Sequence, residues 1–382
     1  MRPKKVAIIY SGAKYWGGIE TYLAQLFKYA DNKEAALILI SLGDWPLVKA
    51  IKMIGGDVRV VSGARVRLTT VRDISSIIRD EGVSLIASQG VVANFYARLA
   101  SRCTKISSLV TVHSELRNDY PKFLSRFIYV LSDRLLRGYT SKYITVSKYL
   151  KEKLSQSGIK PSQIKVIYNA LEDSLKGSNP FKKGSTLFKG KGVTIGSVGR
   201  LHKVKGYNNL IAAMGLLRDK EVNLVVWGEG EEKENIQNQI DELSLGSRVR
   251  LAGFAKDLGE ALKETDIYVQ SSISEGFGLA VLGAMMHEKP VIVTNAGALP
   301  EIVEDRKTGI ILRENTPLAI ADAIRELIDN PEFADKIGKN AAAHAKEKFN
   351  TKNWANETIN TYLEASEKAE KGYHLFSGKD IK

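Results

Sequence analysis

Two patterns of hydrophobic positions alternate along the chain. In longer segments, apolar residues recur every three or four positions, which predicts amphipathic helices. Ile19, Tyr22, Leu23, Leu26 and Phe27 form the first such face. The shorter runs are apolar throughout and rich in β-branched residues. They predict strands buried on both faces, as in parallel sheets covered by helices.

The predicted strands fall into two sets. The first set is residues 6–10, 36–41, 58–61, 84–88, 106–112, 143–146 and 165–168. The second set is residues 193–199, 223–228, 249–253, 267–270, 291–294 and 309–312. We therefore predict an α/β protein with two doubly wound, Rossmann-like parallel-sheet domains. Ligands are expected beyond the carboxyl ends of the strands.

A segment rich in Gly, Ser and Lys, residues 171–192, separates the two sets. We interpret it as a linker region followed by a loop that enters the second domain. The first domain is then predicted over residues 1–170 and the second over residues 193–349. A last helical pattern runs from residue 350 to about residue 365.

Composition is typical of a globular protein, since 44% of the 382 residues are hydrophobic and 26% are charged. The single cysteine, Cys103, excludes an internal disulfide and suits a reducing compartment. The apolar run at residues 6–10 is shorter than the hydrophobic region of a signal peptide. No run approaches the roughly 20 apolar residues of a membrane-spanning helix. We therefore expect a cytoplasmic protein.

Charge is distributed unevenly between the two halves. Residues 1–185 contain 30 Lys and Arg and 14 Asp and Glu, whereas residues 186–382 contain 26 and 29. The net charges are therefore +16 and −3. The basic half is either a solvated surface or a face for anionic partners, such as membrane lipids or a phosphorylated acceptor. We expect no nucleic-acid partner, because the chain has no zinc-ligand spacing, RNP-like motif or bZIP-type basic helix.

Two connections after predicted strands have features that suit a phosphate. Gly17 and Gly18 directly precede the first helix, where bare backbone N–H groups and the helix dipole favour an anion. A plain tight turn would need the same glycines. Arg200 and Lys205 follow the first strand of the second set, and two fixed cations there suit a diphosphate. The alternative is a solvated, lysine-rich loop.

Two motifs of phosphate chemistry are missing from the sequence. The P-loop pattern G-x-x-x-x-G-K-[ST] does not occur, so the sequence gives no support for P-loop nucleotide hydrolysis. No D-x-D occurs either, which argues against a divalent metal held by paired aspartates. We expect no metal and no cofactor. If the domains pack with these connections facing each other, helix dipoles, Arg200 and Lys205 would neutralise a diphosphate leaving group.

Four motifs in this order resemble one known family over essentially the whole chain. They are GGIE near the start, GRLHKVKG after the linker, SEGFGLAVLGAM, and PVIVTNAGALPEIVED. The sequence is similar to the retaining glycosyltransferases of family 4, which have the GT-B fold. The resemblance implies two Rossmann-like domains facing a cleft. It also implies transfer of a sugar from a nucleoside diphosphate donor to a glycan or a lipid-linked acceptor, with retention and without metal.

The resemblance also implies roles for single residues. Gly17 and Gly18 match the loop whose backbone cradles the donor diphosphate, and Arg200 and Lys205 match the pair that binds it. His113, in LVTVHSE, matches the histidine near the donor sugar and the reaction centre. The alternative for His113 is a loop histidine packed at a strand end.

Further matches lie in the second half. Gly253 and Phe254 match the turn that meets the nucleobase. Glu275 matches the first Glu of the family's paired-Glu motif, which contacts the donor sugar. The turn after it matches the segment whose backbone reaches sugar and phosphate, and comprises Phe277, Gly278 and Leu279. The last helix, around Trp354, resembles the segment that crosses back onto the first domain.

The chemistry of the family agrees with these positions. Retaining transfer develops positive charge on the sugar and negative charge on the leaving diphosphate. The family is described by a same-face mechanism, in which the leaving phosphate takes the acceptor's proton. We therefore expect Glu275 to orient the donor and stabilise charge, and not to act as a double-displacement nucleophile. His113 is expected to be the second catalytic residue. Closure of the two domains would exclude water.

The pattern fails at the family's second Glu, which receives the donor's ribose hydroxyls and here is Gly283. His287 follows one helical turn later, on the same face. Glu288 stands where the family has a glycine, at a position that is often left-handed. Losing a charge-assisted hydrogen bond costs about 1.5–3 kcal/mol.

Four interpretations of this departure remain open. In the first, the enzyme is active and another group or an ordered water binds the ribose. In the second, the donor is a different diphosphate sugar, such as a lipid-linked one. In the third, the chain is a non-catalytic partner of a true transferase. A nucleotide-sugar 2-epimerase is a fourth, although its additional acid and base carboxylates have no evident position here.

Residues 120–144 mix aromatic residues with Lys and Arg. Phe123, Phe127, Val130, Leu131 and Leu135 have helical spacing and suit a core-facing stripe. Alternatively, the segment lies on an anionic membrane, to which each cation contributes about 1 kcal/mol. We favour a peripheral enzyme on the inner face of the cytoplasmic membrane, acting in cell-envelope polysaccharide, lipopolysaccharide or glycolipid synthesis.

Overall fold

A computed structural model describes residues 3–13, 15–30, 34–61, 68–115, 131–172, 192–255 and 257–376. The chain divides into two compact units. One comprises Met1–Asn169 together with Thr351–Lys382, and the other comprises Ala170–Asn350. Each unit is built around one parallel sheet.

The sheet of the first unit has seven strands in the order β3-β2-β1-β4-β5-β6-β7. Their bounds are Lys4–Tyr10, Ala35–Ser41, Asp57–Val60, Leu85–Gln89, Ser108–Val112, Thr140–Thr145 and Ile164–Val166. The helices α1 to α5 span Gly18–Tyr29, Pro46–Met53, Leu68–Asp80, Val91–Thr104 and Lys148–Gln156. Short 3₁₀ turns at Arg137–Tyr139 and Pro161–Gln163 precede β6 and β7.

The sheet of the second unit has six strands in the order β10-β9-β8-β11-β12-β13. Their bounds, from β8 to β13, are Val193–Val198, Val222–Trp227, Val249–Gly253, Ile267–Gln270, Val291–Thr294 and Ile310–Leu312. The helices α6 to α12 span Tyr207–Leu216, Lys233–Glu242, Leu258–Lys263, Leu279–Met286, Leu299–Ile302, Pro317–Asp329 and Pro331–Lys348. A 3₁₀ turn at Lys203–Lys205 leads into α6.

The last helix, α13, spans Thr351–Phe376 and belongs to the first unit. It continues past residue 365, where the sequence pattern predicted its end. Trp354 on α13 is buried and meets Tyr22 on α1 edge-to-face, with ring centroids 4.8 Å apart. This aromatic contact packs the end of the chain against the first helix.

The predicted fold is confirmed, and all thirteen predicted strands are present. β6 begins at Thr140, three residues before the predicted start, because Thr140 is itself buried and pairs with Ser108. β7 is shorter than predicted and ends at Val166. Of the predicted buried face of α1, Tyr22, Leu23 and Leu26 lie in the core, whereas Ile19 and Phe27 are half-buried.

The strand order of the second unit reverses between β8 and β11. From β8 the chain proceeds outward to β9 and β10, and it then returns to β11 on the other side of β8. In open parallel sheets, ligands bind beyond the carboxyl ends of the strands at such a switch point. The two connections that leave β8 and β11 contain Lys205 and Glu275, respectively.

The segment predicted at residues 120–144 is described only in part. Phe123, Phe127 and Val130 lie outside the described residues. Leu131 and Leu135 are 45% and 71% exposed, so these two do not face the core. Within the described ranges, no helix is long and apolar enough to cross a membrane.

Candidate functional site

The switch point of the second unit brings together the two predicted donor-binding residues Lys205 and Glu275. Lys205 Nζ donates to Glu275 Oε2 over 2.7 Å. Both side chains are largely buried, with 20% and 13% of their surfaces exposed. Poor solvation at this depth strengthens the attraction between the two charges, and each buried charge is paired with the other.

The loops that carry this pair are hydrogen-bonded to each other. Ile273 N–H donates to the carbonyl of Val204 over 2.7 Å, and Ser271 Oγ donates to the carbonyl of Lys205 over 3.0 Å. Gly206 lies against Ser271 with a positive φ of 64°, and an added Cβ would come within 2.1 Å of the Ser271 carbonyl oxygen. The close approach of the two loops therefore requires glycine at position 206.

A chain of buried polar side chains orients the Glu275 carboxylate. Ser272 Oγ donates to Glu275 Oε2 over 3.2 Å and accepts from Gln270 Nε2 over 2.7 Å. Gln270 Oε1 in turn accepts from the Tyr268 hydroxyl over 2.8 Å. All three supporting residues are at most 2% exposed. These three residues were not predicted from the sequence, although polar side chains at alternate positions of β11 and of the segment after it are a detectable pattern.

The backbone around Glu275 is fixed as well. Ala298 N–H donates to the Glu275 carbonyl over 2.9 Å. Gly297 has φ of 58°, and a Cβ there would lie 2.1 Å from that carbonyl oxygen. Gly278, the N-cap of α9, has φ of 107° and directs Leu279 into the helix. Phe277 is buried against Phe349, with ring centroids 5.6 Å apart.

The connection between β8 and α6 presents two more polar groups. Arg200 is exposed at the carboxyl end of β8. His202 Nδ1 accepts from Val204 N–H over 3.2 Å and so caps the 3₁₀ turn that carries Lys205. His202 Nε2 lies 3.3 Å from Glu231 Oε1. Because Nδ1 accepts, Nε2 is the protonated nitrogen and faces that carboxylate.

The predicted nucleobase turn lies at the end of β10. Gly253 has φ of 74°, and its carbonyl accepts from Gly228 N–H over 2.7 Å, at the end of β9. Phe254 follows with 39% of its surface exposed. An aromatic face beside a glycine turn is suited to stacking on a base.

Gly283 lies in the middle of α9 and is buried. A Cβ on Gly283 would lie 2.5 Å from Leu258 Cδ2 and 3.6 Å from Leu171 Cδ1. The space beside Gly283 is therefore filled by the first residue of α8. His287 Nδ1 donates to the Gly283 carbonyl over 2.8 Å, which confirms the shared face. Glu288 has φ of 58°, so the left-handed position expected for glycine carries a larger residue.

In the first unit, Gly17 and Gly18 begin α1. Gly17 N–H donates to Glu20 Oε2 over 2.8 Å, and Glu20 Oε1 accepts from the Tyr10 hydroxyl over 2.5 Å. Burial and the neighbouring Glu20 raise the pKa of Tyr10 well above its ordinary value. With the Gly17 amide engaged, an anion at this helix start would meet Gly18 and the later amides of the first turn.

His113 follows β5 in the first unit. Its Nε2 lies 2.9 Å from Gln89 Oε1, and because that amide oxygen accepts, Nε2 is protonated and Nδ1 is an acceptor. Tyr22 meets the ring edge-to-face at 4.9 Å. Burial lowers the pKa of His113 from 6.5 to about 4, so the ring is neutral at pH 7.

Two family profiles together cover most of the chain. The profile "Glycosyltransferase Family 4" matches residues 16–175, and "Glycosyl transferases group 1" matches residues 178–344. The chain belongs to the family 4, group 1 glycosyltransferases. Both profiles match at the positions expected from the four motifs, so the predicted family is confirmed.

Among the relatives of this chain is an uncharacterized glycosyltransferase of Methanocaldococcus jannaschii. It is 32% identical over 235 residues, which are 59% of this chain and 60% of that protein. A D-inositol 3-phosphate glycosyltransferase of Paenarthrobacter aurescens is 33% identical over 175 residues, which are 44% of this chain and 43% of that protein. The matches thus span less than two thirds of either relative.

Solved structures of glycosyltransferases have the same fold as this chain. The crystal structure of Anabaena HepE with UDP-glucose matches with a TM-score of 0.82 and 22% identity, over 94% of this chain and 99% of that one. At this identity the similarity establishes the fold alone. The two Rossmann-like parallel sheets are therefore those of the GT-B fold.

Proposed function

We propose that the protein is an active, retaining glycosyltransferase that uses a nucleoside diphosphate sugar. The observation that supports this most strongly is the Lys205–Glu275 pair at the switch point. One member is a cation that suits a leaving diphosphate, and the other is a carboxylate that suits sugar hydroxyls. The Anabaena neighbour, whose structure contains UDP-glucose, supports a nucleotide-sugar donor.

In this proposal, the diphosphate lies against Arg200 and Lys205, at the end of β8. Lys205 is buried enough for its charge to act at low dielectric, whereas Arg200 is exposed and offers a planar, forked donor to the phosphate. These two cations, with the helix dipoles, neutralise the charge that develops as the sugar–phosphate bond breaks. The proposed reaction uses no metal ion and no cofactor.

Glu275 is proposed to bind donor-sugar hydroxyls, with Ser272, Gln270 and Tyr268 fixing its orientation. Without a donor, the Glu275 carboxylate is paired with Lys205. When a donor is bound, we expect Lys205 to contact the phosphate and Glu275 to contact the sugar. His113 is proposed to act as a neutral ring, since its pKa is about 4. Its free Nδ1 can accept a hydrogen bond from a sugar hydroxyl.

The acceptor is proposed to be a glycan or a lipid-linked molecule bound by the basic first unit. The Paenarthrobacter relative is named for a phosphorylated acceptor, which fits a basic surface. Leu131 and Leu135 are exposed one helical turn apart, with exposed Arg134 between them. Apolar and cationic side chains together suit the inner face of an anionic membrane, where cell-envelope polysaccharide or glycolipid is assembled.

Flotation of the full chain with phosphatidylglycerol-containing vesicles tests the membrane part. We expect binding at low salt, weaker binding at high salt, and loss of binding in Leu131→Ser/Leu135→Ser. Absence of salt-sensitive flotation would remove this part of the proposal.

One feature favours a second candidate function, a non-catalytic partner of another transferase. Gly283 lacks the ribose-binding carboxylate, and Leu258 fills the space beside it. The two candidates are separated by incubating nucleotide sugars with the protein and measuring free nucleoside diphosphate. Release of the diphosphate supports the enzyme. Binding without release, with every acceptor tried, supports the partner.

A further inference from the structure

The proposed donor site lacks an evident group for the ribose. Leu258 Cδ2 lies 2.5 Å from where a side chain at position 283 would begin. A ribose approaching α9 there would meet an apolar contact. Ribose hydroxyls in nucleotide sites are commonly received by a carboxylate at the end of a sheet strand. Another carboxylate at this end of the sheet could therefore take the same role.

The strand order fixes where a nucleotide would place its ribose. In the proposed site the base lies at Gly253 and Phe254, beyond β10, and the diphosphate lies at Arg200 and Lys205, beyond β8. β9 lies between β10 and β8 in the sheet. Because the ribose joins the base to the diphosphate, it would cross the end of β9.

Glu229 stands at that point, two residues after β9 ends at Trp227. Its carbonyl accepts from Leu201 N–H over 3.0 Å, which ties it to the connection that contains Arg200. On the other side, Gly228 N–H donates to the carbonyl of Gly253 over 2.7 Å. Glu229 thus lies between the phosphate connection and the base turn: its own carbonyl is bonded to the former, and the neighbouring Gly228 is bonded to the latter.

The Glu229 side chain is directed at the base turn. Its Oε1 lies 3.3 Å from the position that a Cβ on Gly253 would occupy, so the glycine leaves room in front of the carboxylate. Lys233 Nζ donates to Oε1 over 3.0 Å and to Oε2 over 3.2 Å. The carboxylate is 29% exposed, and its ion pair offsets a negative charge that would otherwise repel a nucleotide.

We propose that Glu229 binds the ribose hydroxyls of the donor and replaces the carboxylate missing at Gly283. The inference rests on the proposed nucleotide-sugar function and identifies the donor as a ribonucleotide. It disfavours the lipid-linked diphosphate donor, which has no ribose. Lys233 is a positioning residue in this proposal, since it contacts the carboxylate alone.

The test measures the dissociation constants of nucleotides for the full chain and its variants by isothermal titration calorimetry. The probes are UDP, GDP and ADP, each compared with its 2′,3′-dideoxy counterpart. We expect the wild type to bind one ribonucleotide about ten- to a hundredfold more tightly than its dideoxy form. Glu229→Ala should bind both forms equally, within about threefold, and Glu229→Gln should lie between. Thermal unfolding midpoints close to wild type show that these variants are folded.

Lys233→Met removes the ion pair and leaves the carboxylate. It should therefore bind both forms of the nucleotide more weakly, and still bind the ribonucleotide more tightly than its dideoxy form. An equal preference in wild type and Glu229→Ala would overturn the inference, and so would a wild type that does not distinguish the two forms. Failure of the wild type to bind any nucleotide or nucleotide sugar would overturn the proposed function itself.

Discussion

Lys205 Nζ and Glu275 Oε2 are 2.7 Å apart, although the two residues are separated by 70 positions in the sequence. They lie in the loops that follow the adjacent strands β8 and β11. The pair places a cation that we propose to bind phosphate next to a carboxylate that we propose to bind sugar, and the phosphate and sugar of a donor are likewise neighbours. It also means that each group enters the reaction from an ordered position. Pre-ordered charges of this kind stabilise a transition state without reorganisation.

Replacement of Lys205 by Met should lower the rate of nucleoside diphosphate release from a nucleotide sugar by about 10²–10³-fold, because one fixed charge on the leaving group is lost. Lys203→Met is the matched control, since Lys203 lies in the same 3₁₀ turn and is exposed. The control should retain nearly full activity. Equal losses in both variants would show that the turn, and not the Lys205 charge, determines the rate.

Ser272→Ala should impair turnover more than nucleotide binding, because Ser272 contacts the proposed sugar-binding carboxylate and not the phosphate site. We expect kcat to fall about tenfold, with a nucleoside diphosphate Kd within about threefold of wild type. Thr294→Val removes a different hydrogen bond to the same loop, from Thr294 Oγ1 to the Ser272 carbonyl. A similar fall in kcat in Thr294→Val would indicate a general effect of loop disorder.

The depressed pKa of His113 predicts a pH dependence of stability. In the folded chain its pKa is about 4, whereas the unfolded value is about 6.5, so between these pH values only the unfolded state takes up the proton. The free energy of unfolding should therefore fall as pH drops from about 6.5 to about 4. The His113 contribution is at most about 3 kcal/mol, because part of the residue is exposed.

Urea unfolding of wild type and His113→Asn at pH 4.5 and pH 7 measures this contribution as the difference between the two proteins. The difference cancels other groups that titrate in this range, such as Asp266, whose pKa burial raises to about 6. If the stabilities of the two proteins change with pH in parallel, the pKa of His113 is not lowered in the folded chain.

Replacement of Glu288 by glycine should increase the stability of the chain. Its φ of 58° costs a non-glycine residue about 1 kcal/mol, so Glu288→Gly should stabilise the chain by about 0.5–1 kcal/mol. Glu288→Ala is the control, since it shortens the side chain but retains the Cβ that causes the strain. Chemical denaturation of the three proteins measures the change. A gain in the alanine variant equal to that in the glycine variant would assign the effect to the side chain.

The fold was predictable from sequence because buried parallel strands leave continuous apolar runs, and all thirteen were recognisable. Lys205 and Glu275 were recognisable too, through the motifs around them. Their direct pairing was not, since the position of β11 beside β8 is set by the packing of the whole sheet. The same holds for Leu258, which fills the space at Gly283 from 25 residues away, and for Glu229, whose position between two loops depends on strand order.

Transferase activity is tested most directly by the release of free nucleoside diphosphate from UDP-, GDP- and ADP-sugars by wild type and Glu275→Gln, with and without glycan or lipid-linked acceptors. We expect wild type to release the diphosphate from one donor. Glu275→Gln should bind the same donor but release the diphosphate at least tenfold more slowly. A wild type that binds a donor and never consumes it would show that the protein is not a transferase. Equal release by both proteins would contradict the role of Glu275.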